Sequence, residues 1–209
     1  MSIKRSLALT ASIAMLALAT QTSHADEPVW GKHIPAGYSI LTQNDKNIIA
    51  QGDLNGDGID DYALIINGGK RRGIMIFLSN GNDYQLALEN RDCIESGVEG
   101  DHIYLKLEIN KGNLYLRYDD NVSRYITLYS YTFRYKNSEF QLIGYDYKDE
   151  MEVRSINFPA KKMLDRSYSY EKGSWKETWT NFKMNEPILL KNIVNLEVDY
   201  GVRSFEKYK

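Results

Sequence analysis

The sequence predicts a mainly β fold, a single-domain antiparallel meander or sandwich with at most one short helix. Three observations carry that expectation. Apolar and polar residues alternate with period two along nearly every segment in the later part of the chain. Short stretches containing Gly and Asn separate the alternating runs and suit tight turns. Aromatic usage is lopsided, with 16 Tyr against 6 Phe, and a ring with an apolar body and a polar tip suits a strand with one wet face.

At 209 residues, 43% hydrophobic and 26% charged, the chain is not collagen-like, polytopic in a membrane or generally disordered. Its 26 Lys and Arg are outnumbered by 28 Asp and Glu, which excludes a strongly basic nucleic-acid binder.

Residues 1–25 read as a secretory signal peptide. Lys4 and Arg5 form a positive start, residues 7–20 are apolar or small and uncharged, and Ser23 and Ala25 place small residues at −3 and −1 before Asp26. The apolar run is too short for a membrane span of roughly 20 residues, so no span is expected in the mature chain. Cleavage between Ala25 and Asp26 would leave residues 26–209 as one β-rich domain. The expected compartment is the periplasm, with secretion as the alternative. Cys93 is the one cysteine, so no intramolecular disulfide is possible and a buried, inert thiol is expected.

Along the mature chain, residues 62–66, 74–79 and 83–88 read as three strands, separated by Asn67-Gly68-Gly69 and Asn80-Gly81-Asn82. Ile103, Leu105, Leu107 and Ile109 interleave with Tyr104, Lys106, Glu108 and Asn110. After Lys111-Gly112-Asn113, the alternation of Leu114, Leu116 and Tyr118 completes a hairpin. A second hairpin joins 125–135 to 139–147 through Lys136-Asn137-Ser138. A third joins 167–171 to 174–180 around Lys172-Gly173, and a two-residue turn there would set Tyr170 opposite Trp175. Residues 160–166 are the candidate helix.

One motif carries chemistry. In Asp53-Leu54-Asn55-Gly56-Asp57-Gly58-Ile59-Asp60-Asp61, oxygen-bearing side chains recur at alternate positions, and a turning loop can bring Asp53, Asn55 and Asp57 to one point. Gly58 permits the bend, the Ile59 carbonyl is a further donor, and Asp61 closes the set. Carboxylate, amide and carbonyl oxygens suit a hard cation, so Ca²⁺ is the expected cofactor. The loop is not an EF-hand, because Leu64 occupies position 12 and the flanks are β-like. A metal-free Asx-type turn is the competing reading, against which four neighbouring acids repel one another unless a cation sits among them.

Residues 50–88 resemble the FG-GAP/VCBS repeat of integrin-type propellers. The matching residues are Gly52 to Gly58, then Asp60-Asp61-Tyr62-Ala63-Leu64, then the strand at 74–78. The resemblance implies a propeller-blade-like unit whose loop joins two strands and binds Ca²⁺ through Asp53, Asn55, Asp57, Ile59 and Asp61. Asn55 stands where Asp is commoner, which lowers the loop's charge. A propeller needs several blades and the chain has one such unit, so a propeller would require several chains. The whole chain also resembles small exported bacterial proteins that pair such a loop with a β-meander.

Other constellations are weaker. After cleavage only His33 and His102 remain, and no G-x-S-x-G elbow, H-E-x-x-H or C-x-x-C motif is present, so no Ser/His, Cys/His or zinc chemistry is expected. Glu95, Glu99 and Asp101, and the pair Asp119-Asp120, read as solvated turns. A carboxylate-based hydrolase is kept as a minor alternative. Lys70-Arg71-Arg72 reads as a loop tip. Tyr168, Tyr170, Trp175 and Trp179 on adjacent strands are the candidate contacts for a partner or a glycan, while Tyr125, Tyr129, Tyr131 and Tyr135 line another strand.

The leading expectation is therefore a non-enzymatic, calcium-stapled periplasmic protein that binds another protein, such as an inhibitor or an immunity protein against a toxin delivered there. The alternative is a cell-wall or polysaccharide-binding module.

Overall fold

Strands form wherever the alternation and the turn residues agree. The structure, a computed structural model, describes residues 30–95, 104–120, 127–194 and 196. Its first part contains β1 (Ser39–Ile40), β2 (Thr42–Gln43), β3 (Lys46–Asn47), β4 (Ile49–Gly52), β5 (Asp61–Asn67), β6 (Arg71–Ser79) and β7 (Tyr84–Glu95). Its second part contains β8 (Tyr104–Asn110), β9 (Asn113–Asp120), β10 (Thr127–Lys136), β11 (Glu139–Lys148), β12 (Glu152–Asn157), β13 (Lys162–Ser169) and β14 (Ser174–Asn181).

The topology is a chain of antiparallel neighbours. β4 to β7 pair in sequence order, with β1 against the far end of β5, and β8 to β14 pair in sequence order as a seven-stranded sheet. Neither sheet closes into a barrel, and among the described residues no helix is long and apolar enough to cross a membrane.

Turn chemistry sets the registers. Lys136 pairs with Glu139, so Asn137 and Ser138 form a two-residue turn at φ 52° and 60°. Lys111 and Gly112 do the same at 51° and 72°. Left-handed backbone at both central positions matches the twist of the flanking strands. Asn44-Asp45 closes β2–β3 likewise, a hairpin that the alternation does not reveal because each strand has two residues.

Two expectations are corrected. Residues 160–166 are not helical: 158–161 form a turn, and β13 runs from Lys162, paired on both sides by β12 and β14. Helix-favouring Ala, Lys, Met and Leu are overridden there by ladder hydrogen bonds and by burial of Met163. The third hairpin has a four-residue turn rather than two, because Ser169 pairs with Ser174. Trp175 therefore faces Tyr168, and Tyr170 lies in the turn, which the Lys172 N–H steadies by donating to Ser169 Oγ at 3.3 Å.

The two sheets share one apolar core. Leu114, Leu116, Tyr131, Phe133, Tyr145 and Ile156 from the seven-stranded sheet meet Ala63, Ile65, Ile74, Ile76 and Leu88 from the other. The opposite face of β5–β6 is buried too. Leu64, Ile66, Met75 and Phe77 lie under Trp30, Ile34 and Tyr38, which form a second core. Burial on both faces is why β5 and β6 read as continuous apolar runs rather than alternating ones.

Candidate functional site

The acidic loop spans residues 53–60, between β4 and β5, at one end of the β4–β7 meander. Its conformation depends on side-chain carboxylates and amides capping nearby backbone donors. Asp53 Oδ1 accepts from Gly56 N–H at 2.7 Å and Oδ2 from Gly58 N–H at 2.9 Å. Asn55 Oδ1 accepts from Asp57 N–H at 2.9 Å, and Asp57 Oδ1 from Ile59 N–H at 2.8 Å. Asn55 Nδ2 donates to Asp57 Oδ2 at 2.9 Å. Gly56 and Gly58 sit at φ 83° and 80°, backbone that a side chain would strain. The N–H groups of Gly56 and then Gly58 hold the Asp53 carboxyl below its usual range.

Asp61 has a different environment. It is fully buried, with Oδ2 accepting from Leu54 N–H at 2.7 Å and Oδ1 from Ser79 N–H at 2.8 Å. It thus ties the start of the loop to the end of β6. Burial raises its carboxyl pKa, against the lowering effect of those two donors.

The donor set is all oxygen, and each carboxylate or amide oxygen that accepts one N–H retains a second lone pair, so the residues fit a hard cation chemically. The carboxylates themselves do not converge. Among the described residues no group of three or more His, Cys, Asp and Glu side chains is gathered to hold a metal. Asp53 and Asp57 accept from backbone N–H groups of their own loop, whereas Asp61 is drawn toward the end of β6 by Ser79 N–H and Asp60 accepts from Gln51 Nε2 of β4.

The second candidate is the hairpin β13–β14. Trp175, Glu177 and Trp179 share one face of β14, opposite Tyr168, Arg166 and Leu164 of β13. Trp175 and Trp179 are 42% and 62% exposed, and Tyr170 in the turn is 73% exposed. The Tyr168 ring packs edge-on against Trp175 at 5.5 Å and against Tyr170 at 5.3 Å. The Arg166 guanidinium lies 5.5 Å from the centre of the Trp175 ring and 3.5 Å from Glu177, and Trp179 Nε1 donates to Glu177 Oε1 at 2.9 Å. Arg166 and Glu177 were not among the candidates read from the sequence, although their alternate spacing with the aromatics marks the same face.

The remaining candidates separate cleanly. Tyr131 is fully buried and Tyr129 and Tyr135 pack against the core, while Tyr125 lies outside the described residues. Cys93 is fully buried, and burial pushes its thiol up to about 12, which makes it inert. His33 packs against Phe77 at 5.4 Å between ring centres. Arg71 of the basic tip pairs with Asp92 at 2.9 Å. His102, Glu99 and Asp101, like the leader and its cleavage site, lie outside the described residues, as do the side chains of Glu95 and Asp120.

Set against known proteins, the chain matches no family model, no curated protein and no solved structure.

Proposed function

We propose that this protein is an exported, calcium-stapled β-sandwich that binds another protein, with the hairpin β13–β14 carrying the contact. The observation behind this reading is the exposure of Tyr170, Trp175 and Trp179 at the β14 end of the seven-stranded sheet, while most other aromatic side chains among the described residues are buried or half-buried. Large rings left in water gain most when a partner covers them, and Trp, Tyr and Arg dominate binding energy at interfaces. Among the described residues β14 pairs on one side only, so its other edge offers backbone N–H and C=O groups to an extended segment of a partner.

The leader-like residues 1–25 support export to the periplasm, with secretion as the alternative. Inhibition of, or immunity to, a toxin or enzyme in that compartment is the protein-binding role that suits a small exported chain. Ca²⁺ would be held by Asp53, Asn55, Asp57, the Ile59 carbonyl and Asp61, and would lock the β4–β5 connection in its native form. The FG-GAP/VCBS-like residues 50–88 support that assignment.

A glycan is the second reading. Trp175 and Trp179 lie four residues apart on one face, about 13 Å at the rise of a strand, with the hydrogen-bonding groups of Arg166 and Glu177 beside them. Aromatic faces flanking polar groups stack on sugar rings.

Immobilised protein exposed to periplasmic extract tests the first reading. A stoichiometric protein should be retained, and the Trp175→Ala/Trp179→Ala variant should lose it. Equal retention by the variant would remove the hairpin from the contact, and no retained protein would remove the reading. Peptidoglycan and soluble glycans should leave Trp fluorescence unchanged; quenching that disappears in the variant would favour the glycan.

A further inference from the structure

The seven-stranded sheet changes partners along β11. From Gly144 to Lys148, β11 pairs with β12, but toward its Glu139 end a different segment takes over. Leu142 N–H donates to Ile188 O at 2.8 Å, and Gln141 bridges Leu189. The 158–161 turn is pinned between the two regions: Phe158 N–H donates to Ile143 O at 3.1 Å, and Phe182 N–H donates to Lys161 O at 3.1 Å. A cleft of about 480 Å³ opens at this junction, bounded by the β10–β11 turn, the 158–161 turn and residues 184–187. That volume is typical of small-molecule sites, which run from roughly 300 to 1,000 Å³.

The lining has two halves. Ile143 and Met184, half-buried, with exposed Pro159 and Pro187, give an apolar wall, and Leu142 and Phe158 are buried beneath it. Arg134, Lys136 and Lys161 stand around it, and among the described residues none of the three is in an ion pair. Arg134 is oriented by its Nε–H, which donates to Asn113 Oδ1 at 2.9 Å. Glu186 is the acidic residue of the lining, so cations outnumber acids there by three to one.

We propose that this cleft binds a small amphipathic anion, a singly charged acidic head carried on an acyl or aryl body. An inorganic anion would meet the cations but leave the apolar wall wet, and a neutral apolar molecule would cover the wall but gain nothing from the cations. A molecule with both parts satisfies both halves, and the cleft is large enough for one with about 12–20 non-hydrogen atoms. This site is independent of the hairpin and of the acidic loop.

The test uses 8-anilinonaphthalene-1-sulfonate as a fluorescent probe on the folded protein. It should bind saturably at one site and be displaced by decanoate or by 1-naphthoate, whichever body the wall prefers. Decanol, 1-naphthalenemethanol and inorganic phosphate should not displace it. Lys136→Gln with Lys161→Asn should weaken probe binding about tenfold, and raised salt should weaken it in the wild type. Asn tolerates the φ of 53° at position 161, and both lysines are exposed, so the thermal midpoint should not move. Met184→Ala should weaken binding as well. The proposal is overturned by an absence of saturable binding, by equal displacement with the neutral alcohols, or by unchanged affinity in the double lysine variant. Loss of the site in Trp175→Ala/Trp179→Ala would overturn it too, by moving the probe to the hairpin.

Discussion

Asp61 shows how much a single residue's meaning depends on its surroundings. By spacing it is the ninth position of a calcium-type loop; by structure it is a buried acceptor for two backbone donors, Leu54 N–H and Ser79 N–H. Asn keeps one acceptor oxygen and sets an NH₂ against the other donor, so Asp61→Asn should cost about 1–3 kcal/mol, read from urea unfolding at neutral pH. The acid limb of the same experiment separates two carboxylates. The folded pKa of Asp53 lies below 3.8, so its contribution is complete above that value and is lost as pH falls through the folded pKa. Asp61 runs the other way: its folded pKa lies above 3.8, so stability from it declines as pH rises from 3.8 through the folded value. Asp53→Asn should therefore flatten the loss below pH 4, and Asp61→Asn should remove the decline above it. An unchanged acid limb in Asp53→Asn would show that the Gly56 and Gly58 donors do not hold that carboxylate. Both residue types were legible in the motif. Their difference in burial was not, since it depends on where β6 ends.

At the scale of elements, tight turns and close approaches decide register. The turns within Lys111-Gly112-Asn113 and Lys136-Asn137-Ser138 were readable because Gly and Asn mark left-handed backbone, but each closes with two residues, 111–112 and 137–138, because Asn113 and Lys136 pair within the strands. The Lys172-Gly173 turn was read two residues too short, because Gly173 marks a left-handed position without saying how many residues precede it. In β6–β7, Gly73 is set by close approach: a Cβ there would lie 2.0 Å from Asn90 O, at one of the register shifts between the two strands. Gly73→Ala should destabilise the protein by about 3 kcal/mol, measured by the urea midpoint. A cost under 1 kcal/mol would mean that the strands can part there without loss. β12 and the four strands before residue 53 escaped the alternation pattern, being short or lacking a clean dry face.

Across the whole molecule, the segment at 190–193 joins the two sheets. The Asn90 side chain of β7 donates through Nδ2 to Leu190 O at 2.7 Å and to Ile193 O at 2.8 Å, and the same segment follows the 188–189 contacts with β11. Asn90→Ala strands two buried carbonyls and should cost about 3 kcal/mol, visible as a lower thermal midpoint; a midpoint equal to wild type would mean that the segment is held by packing alone. Calcium acts at the same scale if it binds the native state only. At about 1,000-fold over its dissociation constant it adds roughly 4 kcal/mol. The thermal midpoint should rise with calcium and fall with a chelator, and Asp57→Ala should abolish the difference. Equal midpoints in calcium and chelator would leave residues 53–61 as a turn satisfied by its own N–H donors.

The sequence by itself determined the fold class, three of the hairpins in the seven-stranded sheet (β8–β9, β10–β11 and, with a shorter turn, β13–β14) and the location of the acidic loop. Those are local properties: side-chain alternation reports a strand's two faces, and Gly, Asn and Asp report backbone that other residues avoid. Tertiary structure decided the rest. It buried Asp61 and Tyr131 of β10, left Trp175 and Trp179 in water, turned a helix-favouring stretch into β13, and brought Arg134, Lys136 and Lys161 around one cleft. Each of these depends on which distant strand lies alongside, because burial and charge proximity are properties of the packed sheets rather than of neighbours in the chain.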